Sequence, residues 1–169
     1  MDTKAILSAY EFQRQYLSLL VEDIPEDKMS AQPGGIVNHP AWQLGHLTLT
    51  QDVMVKILGG NSRLDPDWEK RFGRGTIPAG AGSVHPAKSD FLALLDGQRR
   101  EYVRLFSRLS SDELAKPPTM PGIPPLFTSL GMFLVFLMMS HESGHLGQIA
   151  SWRKAMGMPQ ALSKLRNDQ

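Results

Sequence analysis

The sequence contains no cysteine. This absence excludes disulfide bonds, thiolate metal ligands and a catalytic thiol supplied by the protein itself. Any metal site must therefore be built from histidine and carboxylate side chains. Any thiol chemistry must use sulfur that a small molecule brings.

An excess of one charge is also missing. The 18 basic and 17 acidic residues leave a net charge of +1, which gives no reason to expect nucleic acid or an anionic membrane as partner. The longest apolar run, at 126–139, has 14 residues, fewer than the roughly 18–20 that cross a bilayer. A signal peptide is not apparent either. We therefore expect a cytoplasmic protein that acts on a small molecule.

Strand-like alternation of apolar and polar residues is absent, and helical periodicity takes its place. Apolar residues recur at spacings of three and four in four segments, which predict helices over residues 3–23, 40–58, 87–109 and 128–156, the last with Thr128 as N-cap. The pattern is typical of an all-α protein, a four-helix bundle. The chain of 169 residues is expected to form one domain over residues 1–169.

The connection between the second and third helices is long. Residues 61–86 are rich in glycine and proline and predict an irregular segment, too long for a simple connector and therefore functional or a lid. Residues 110–114 predict a cap and a short turn, and five prolines between 117 and 125 predict a loop before the fourth helix.

The most informative residues are His141 and His145, four positions apart in the fourth helix. That spacing places both imidazoles on one face, about 6 Å apart along the axis. One divalent ion can bridge the two rings. An apolar helix has little reason to carry two stacked imidazoles unless something satisfies their nitrogens, so the pair predicts a metal site.

A third histidine can complete this site. His46 lies on the apolar stripe of the second helix, which comprises Trp42, His46, Leu49, Val53 and Ile57. If the second and fourth helices pack side by side, three imidazoles converge. Three protein ligands with an open position are typical of catalytic metal sites. Imidazole ligands alone suit Zn, Ni, Co, Fe and Cu equally.

Other residues near these histidines are candidates for supporting roles. Gln148 continues the face of His141 and can orient a ligand, or form a hydrogen bond between helices. Trp42 is a candidate pocket wall as well as a core residue. His39, beside Pro40, is a candidate helix cap or pocket rim.

Residues 141–145 also match the HExxH pattern of zinc peptidases, in which the glutamate is the general base. A peptidase is disfavoured because no histidine or glutamate follows His145 to act as third ligand, and no strand is predicted to hold a peptide. Glu142 lies about 100° around the helix from His141. It is a candidate base only for a hydrolase, and an inter-helix carboxylate is the favoured interpretation.

Two segments together carry a family resemblance. NHPAWQLGHL at residues 38–47 and HESGHLGQI at residues 141–149, followed by WRKAMGMP at residues 152–159, resemble the DinB/YfiT-like superfamily of metal-binding four-helix bundles. The resemblance implies His46, His141 and His145 as metal ligands, a zinc or nickel ion at one end of the bundle, and a homodimer.

The resemblance also implies a range of functions. Characterised relatives include S-transferases that use bacillithiol, mycothiol or glutathione and a mycothiol-dependent isomerase, whereas many members have no established activity. We expect a metal-dependent enzyme that joins a low-molecular-weight thiol, as co-substrate, to an electrophile. The alternatives are a hydrolase that uses a metal-activated water and a non-catalytic metal-binding or stress-related protein.

Overall fold

The computed structural model describes residues 3–166, and that part of the chain is helical with no strand, which confirms the predicted all-α bundle. Four long helical segments form the bundle: α1 (Thr3–Val21), α2 (Pro40–Ile57), α4 (Lys88–Phe106), and a composite of α6 (Leu130–Val135), a π-helical turn (Phe136–His141) and α7 (Glu142–Ala155). Two short helices lie between them, α3 (Trp68–Phe72) and α5 (Ser111–Ala115). No helix among these described residues is long and apolar enough to cross a membrane.

Helix α2 is the central element of the bundle. It packs against α3, α4 and α7, and α1 packs against α7. Because neighbours cover α2 on several sides, the single apolar stripe predicted for it is only partly right. Val53 and Ile57 are half-buried, whereas Met54 and Val55, off that stripe, are buried.

The buried carboxylate of α2 shows how its polar groups are satisfied. Asp52 accepts hydrogen bonds from the Ser62 hydroxyl at 2.7 Å, the Arg63 backbone N–H at 3.0 Å and the Gln98 amide at 3.1 Å. Such bonds offset the cost of removing a charge from water. They also fix the start of the 61–86 connection against α2 and α4.

The fourth helix differs from its prediction in two ways. It begins at Leu130, where the Ser129 hydroxyl caps it by accepting from the Met132 N–H at 3.2 Å, so the prediction of Thr128 as cap is wrong. A π-helical turn also interrupts it between residues 136 and 141. Such a turn inserts extra residues into the helix and rotates everything that follows. His141 lies at its end.

The predicted irregular segment 61–86 contains the short helix α3, which packs against α2 at Gly45. The indole N–H of Trp68 donates to the Gly45 carbonyl at 2.9 Å. A Cβ atom on residue 45 would lie 2.3 Å from the ring of Phe72. Only glycine lets α3 approach α2 this closely, because real Cβ contacts are never that short.

Substituting Gly45→Ala is expected to destabilise the protein by about 1–3 kcal/mol, because the added methyl group overlaps the Phe72 ring. Chemical denaturation measures this change. Gly147→Ala is the matched control, since a Cβ there meets nothing within 4 Å and alanine favours the helix. Equal stability of Gly45→Ala and the parent protein would show that α3 does not press on α2.

Candidate metal centre

The structure brings the three predicted histidines together. The Nε2 atom of His141 lies 3.3 Å from Nε2 of His46 and 3.3 Å from Nε2 of His145. Two nitrogens that each lie ~2.0–2.1 Å from a tetrahedral ion are about 3.3 Å apart. The spacing of the rings therefore fits a single tetrahedral metal ion, and these residues are positioned to bind one.

Hydrogen bonds on the opposite ring nitrogens orient two of the imidazoles. The Nδ1–H of His46 donates to the Phe72 carbonyl at 2.7 Å. The Nδ1–H of His145 donates to the side-chain carbonyl of Gln43. A neutral imidazole carries one proton, so both Nε2 atoms present lone pairs toward His141. This is the second-shell support that metal-binding histidines ordinarily have.

The third imidazole shows why a cation fits here. Nδ1 of His141 is buried without a hydrogen-bond partner among the described residues. A proton on Nε2 of His141 could serve only one of the two facing lone pairs. A proton on Nδ1 instead leaves three lone pairs directed at one another. A bound cation would satisfy all three nitrogens at once.

The electrostatics of the cluster keep the rings neutral. Burial lowers the pKa of His46. Burial, with the neighbouring His46 ring, lowers the pKa of His141 to about 4. Burial and the two other rings lower the pKa of His145 to about 3. Unprotonated imidazole is the form that binds metals, so all three residues are available as ligands at neutral pH.

Gln43 is a supporting residue that the sequence did not reveal. It is buried in α2, three positions before His46, and its amide N–H donates to the side-chain oxygen of Gln148 at 2.6 Å. That oxygen also accepts from the Asn38 amide at 3.0 Å. Gln148 therefore touches Gln43 and helps to fix the carbonyl that orients His145. The only sequence signal was a glutamine inside an apolar helix.

Trp42 and His39 lie at the start of α2 and hold the 61–86 connection in place. The Trp42 ring stacks on His46, with centroids 4.9 Å apart, and its indole N–H donates to the Thr76 hydroxyl at 3.0 Å. His39 is the N-cap of α2, since its Nδ1 accepts from the Trp42 N–H at 3.2 Å. Its Nε2–H donates to the Ala79 carbonyl at 3.0 Å.

Glu142 is turned into the bundle. It is buried, and its carboxylate pairs with the guanidinium of Arg99 on α4. Arg99 also donates to the Tyr10 carbonyl at 2.7 Å, and its guanidinium lies 3.6 Å from the centre of the Tyr10 ring. Burial raises the pKa of Glu142 above its ordinary value, and the nearby Arg99 offsets part of that rise. Glu142 therefore joins α7 to α4 and α1, and this arrangement gives no support to a role as catalytic base.

The site is open on one side. A cavity of about 900 Å³ adjoins it, and His46 and His141 are among the residues that line the cavity. A molecule that enters the cavity from solvent therefore meets the side chains of two of the three histidines.

The chain is thus a helical bundle in which three convergent imidazoles, beside an open cavity, are positioned to bind a metal ion. The family model of the DinB superfamily matches residues 9–149, a range that includes all three histidines. The chain therefore belongs to the DinB superfamily. No curated protein matches it.

Replacing Gln43 with leucine is expected to weaken metal binding by about 10–100-fold, because His145 loses the acceptor that orients its ring. Competition against a chromophoric chelator measures the affinity. Thr48→Val is the control, since Thr48 is buried in the same helix and its hydroxyl donates to the Leu44 carbonyl within that helix. Unchanged affinity in Gln43→Leu would show that this hydrogen bond is dispensable.

Acid is expected to destabilise the metal-free protein. The folded state holds the pKa of His141 at about 4 and that of His145 at about 3, whereas an unfolded histidine has a pKa of about 6.5. Between these values the unfolded state binds more protons. The contribution of these two histidines to the free energy of unfolding is therefore fully present above about pH 6.5. It is lost as the pH falls toward their pKa values in the folded state.

Urea unfolding at a series of pH values measures this loss. The double substitution His141→Asn and His145→Asn removes the two histidines whose pKa values are lowered to about 4 and about 3, and it should reduce the pH dependence. If the variant and the parent protein lose stability equally, the source of the acid sensitivity lies elsewhere.

Proposed function

We propose that this protein is a metal-dependent S-transferase that joins a low-molecular-weight thiol to an electrophile. The observation that supports the proposal is the set of three Nε2 atoms, two of them 3.3 Å from the third, beside an open cavity that His46 and His141 help to line. The absence of cysteine agrees with a sulfur nucleophile that comes from a small molecule.

A divalent cation held by the three histidines would favour the thiolate over the thiol, and the thiolate is the nucleophile. The protein's own part is to hold the cation and to present the electrophile. In a substitution, the thiol proton passes to solvent and a sulfur lone pair forms the new carbon–sulfur bond. The leaving group, such as chloride, departs with the electron pair of the broken bond.

The hydrolase alternative has less support. The sequence offered Glu142 as the base for this reaction, and its carboxylate is paired with Arg99 inside the bundle. A non-catalytic metal-binding protein would use the same three histidines. The homodimer that the family resemblance implies stays a prediction, which sedimentation at micromolar concentration tests.

Zinc- or nickel-loaded protein, with its metal content fixed by elemental analysis, is expected to conjugate 1-chloro-2,4-dinitrobenzene to bacillithiol, mycothiol or glutathione. Product absorbance follows the reaction. His145→Ala should bind less metal and reduce the rate to the uncatalysed value. His85→Ala is the matched control, because His85 lies outside the cluster and bonds the Pro86 carbonyl.

Two other outcomes would overturn the proposal. Cleavage of esters or amides without any thiol would identify a hydrolase. Full metal occupancy with no reaction across the thiols and a panel of electrophiles would identify a non-catalytic metal-binding protein.

A further inference from the structure

The cavity beside His46 and His141 has walls of a consistent chemical character. It occupies about 900 Å³ between α2, the loop before the fourth helical segment, and that segment itself. Its walls are mostly aliphatic and aromatic, and they include Leu49, Val53, Leu126, Phe133, Phe136 and Leu137. A volume of this size is at the upper end of ordinary small-molecule sites, which span roughly 300–1,000 Å³.

The mouth of the cavity exposes apolar side chains. Leu126 is 62% exposed, Met132 is 47% exposed and Phe136 is 37% exposed, and all three line the same opening. Contact of such groups with water is unfavourable. Exposed apolar side chains that cluster often mark a binding site, whereas single scattered ones do not. A ligand with an apolar body would cover them.

Charged groups contribute little to the cavity. Besides the two histidines, Glu69 and Arg74 are the ionisable residues among its described lining, and they carry opposite charges. Both residues are exposed to solvent. Away from the histidines, the cavity walls therefore offer no net charge to an ionic ligand, and selectivity for the body of a ligand rests on apolar contact.

The histidines define which end of a ligand reacts. His46 and His141 lie in the cavity lining, whereas the Nδ1 side of His145 is closed by Gln43 and Gln148. A bound molecule can thus place one end against the imidazoles while the rest lies along the apolar walls.

From these observations we propose that the electrophile is a bulky molecule with an uncharged, apolar body that binds in this cavity. The inference rests on the proposed S-transferase function for the reacting end. The ligand class itself rests on the cavity alone. The reaction is the substitution described above, with the carbon–sulfur bond formed and the leaving group released with its electron pair.

A binding experiment tests the ligand class without any reaction. The uncharged fluorescent probe N-phenyl-1-naphthylamine is titrated into the metal-loaded full chain, and its emission should rise to saturation at one equivalent. Leu126→Asp places a carboxylate at the mouth and should raise the dissociation constant about tenfold or more. Val84→Asp is the matched control, because Val84 is an apolar side chain, 96% exposed, that does not line the cavity.

Met132→Asp provides a second variant at the mouth, where Met132 is also largely exposed. Equal melting temperatures of the variants and the parent protein establish that folding is unchanged. Weaker probe binding in both mouth variants, with the control unaffected, supports the proposal. If the three substitutions affect binding equally or not at all, the probe adsorbs to the general surface and the proposal is wrong.

Kinetics with two electrophiles separate this inference from the proposed function. Leu126→Asp should lower kcat/KM for 1-chloro-2,4-dinitrobenzene but leave iodoacetamide, which is small and polar, unaffected. If both electrophiles react well and Leu126→Asp alters neither rate, the ligand class is wrong while the S-transferase stands. If neither reacts but probe binding still depends on Leu126, the cavity assignment stands and the S-transferase fails.

Discussion

The close approach of three ring nitrogens is the interaction on which this end of the bundle depends. Nε2 of His141 lies 3.3 Å from Nε2 of His46 and from Nε2 of His145. Lone pairs that face one another across this distance repel unless a cation lies between them. The Phe72 carbonyl and the Gln43 side chain keep the protons of His46 and His145 on the far sides of the rings. The lack of a side chain at Gly45 contributes to this orientation, because it lets α3 pack closely enough to bring the Phe72 carbonyl to His46.

The direction of each side chain, rather than the letters of the motif, decides what the HExxH segment does. Successive residues of a helix point about 100° apart. His141 thus faces the cluster while Glu142 faces Arg99 in the core. A buried ion pair adds little net stability, but the loss of one partner leaves an uncompensated charge, so the pair holds α7 in one rotation relative to α4. That rotation also sets where His141 points.

Sequence alone was enough for the parts of this molecule that depend on local pattern. Helical periodicity located the long helices, and the four-residue spacing of His141 and His145 placed both on one face. The convergence of His46 with them required only that two apolar helix faces meet. The helix α3 was missed because five residues are too few to show a period.

Other features of the site could not be predicted from the sequence. The Phe72 acceptor is a backbone carbonyl, which every residue possesses, so its role depends entirely on the tertiary contact at Gly45. The π-helical turn has the sequence FLMMSH, which an α-helix could equally contain, so its composition does not distinguish it. Gln43 was visible as a polar residue in an apolar helix, yet nothing in its neighbours indicated that it would meet His145 on another helix.

The histidine cluster and the mouth of the cavity are built on different kinds of structure. The ring nitrogens are held by α2, α3, the π-helical turn and α7, which pack together in the bundle. The cavity mouth is formed instead by the proline-rich loop and the exposed side chains of Leu126 and Met132. Substitutions of Leu126 or Met132 would change the apolar lining of the cavity. The imidazoles thus lie on packed elements of the core, whereas part of the cavity lining lies on a loop, a division that functional sites commonly show.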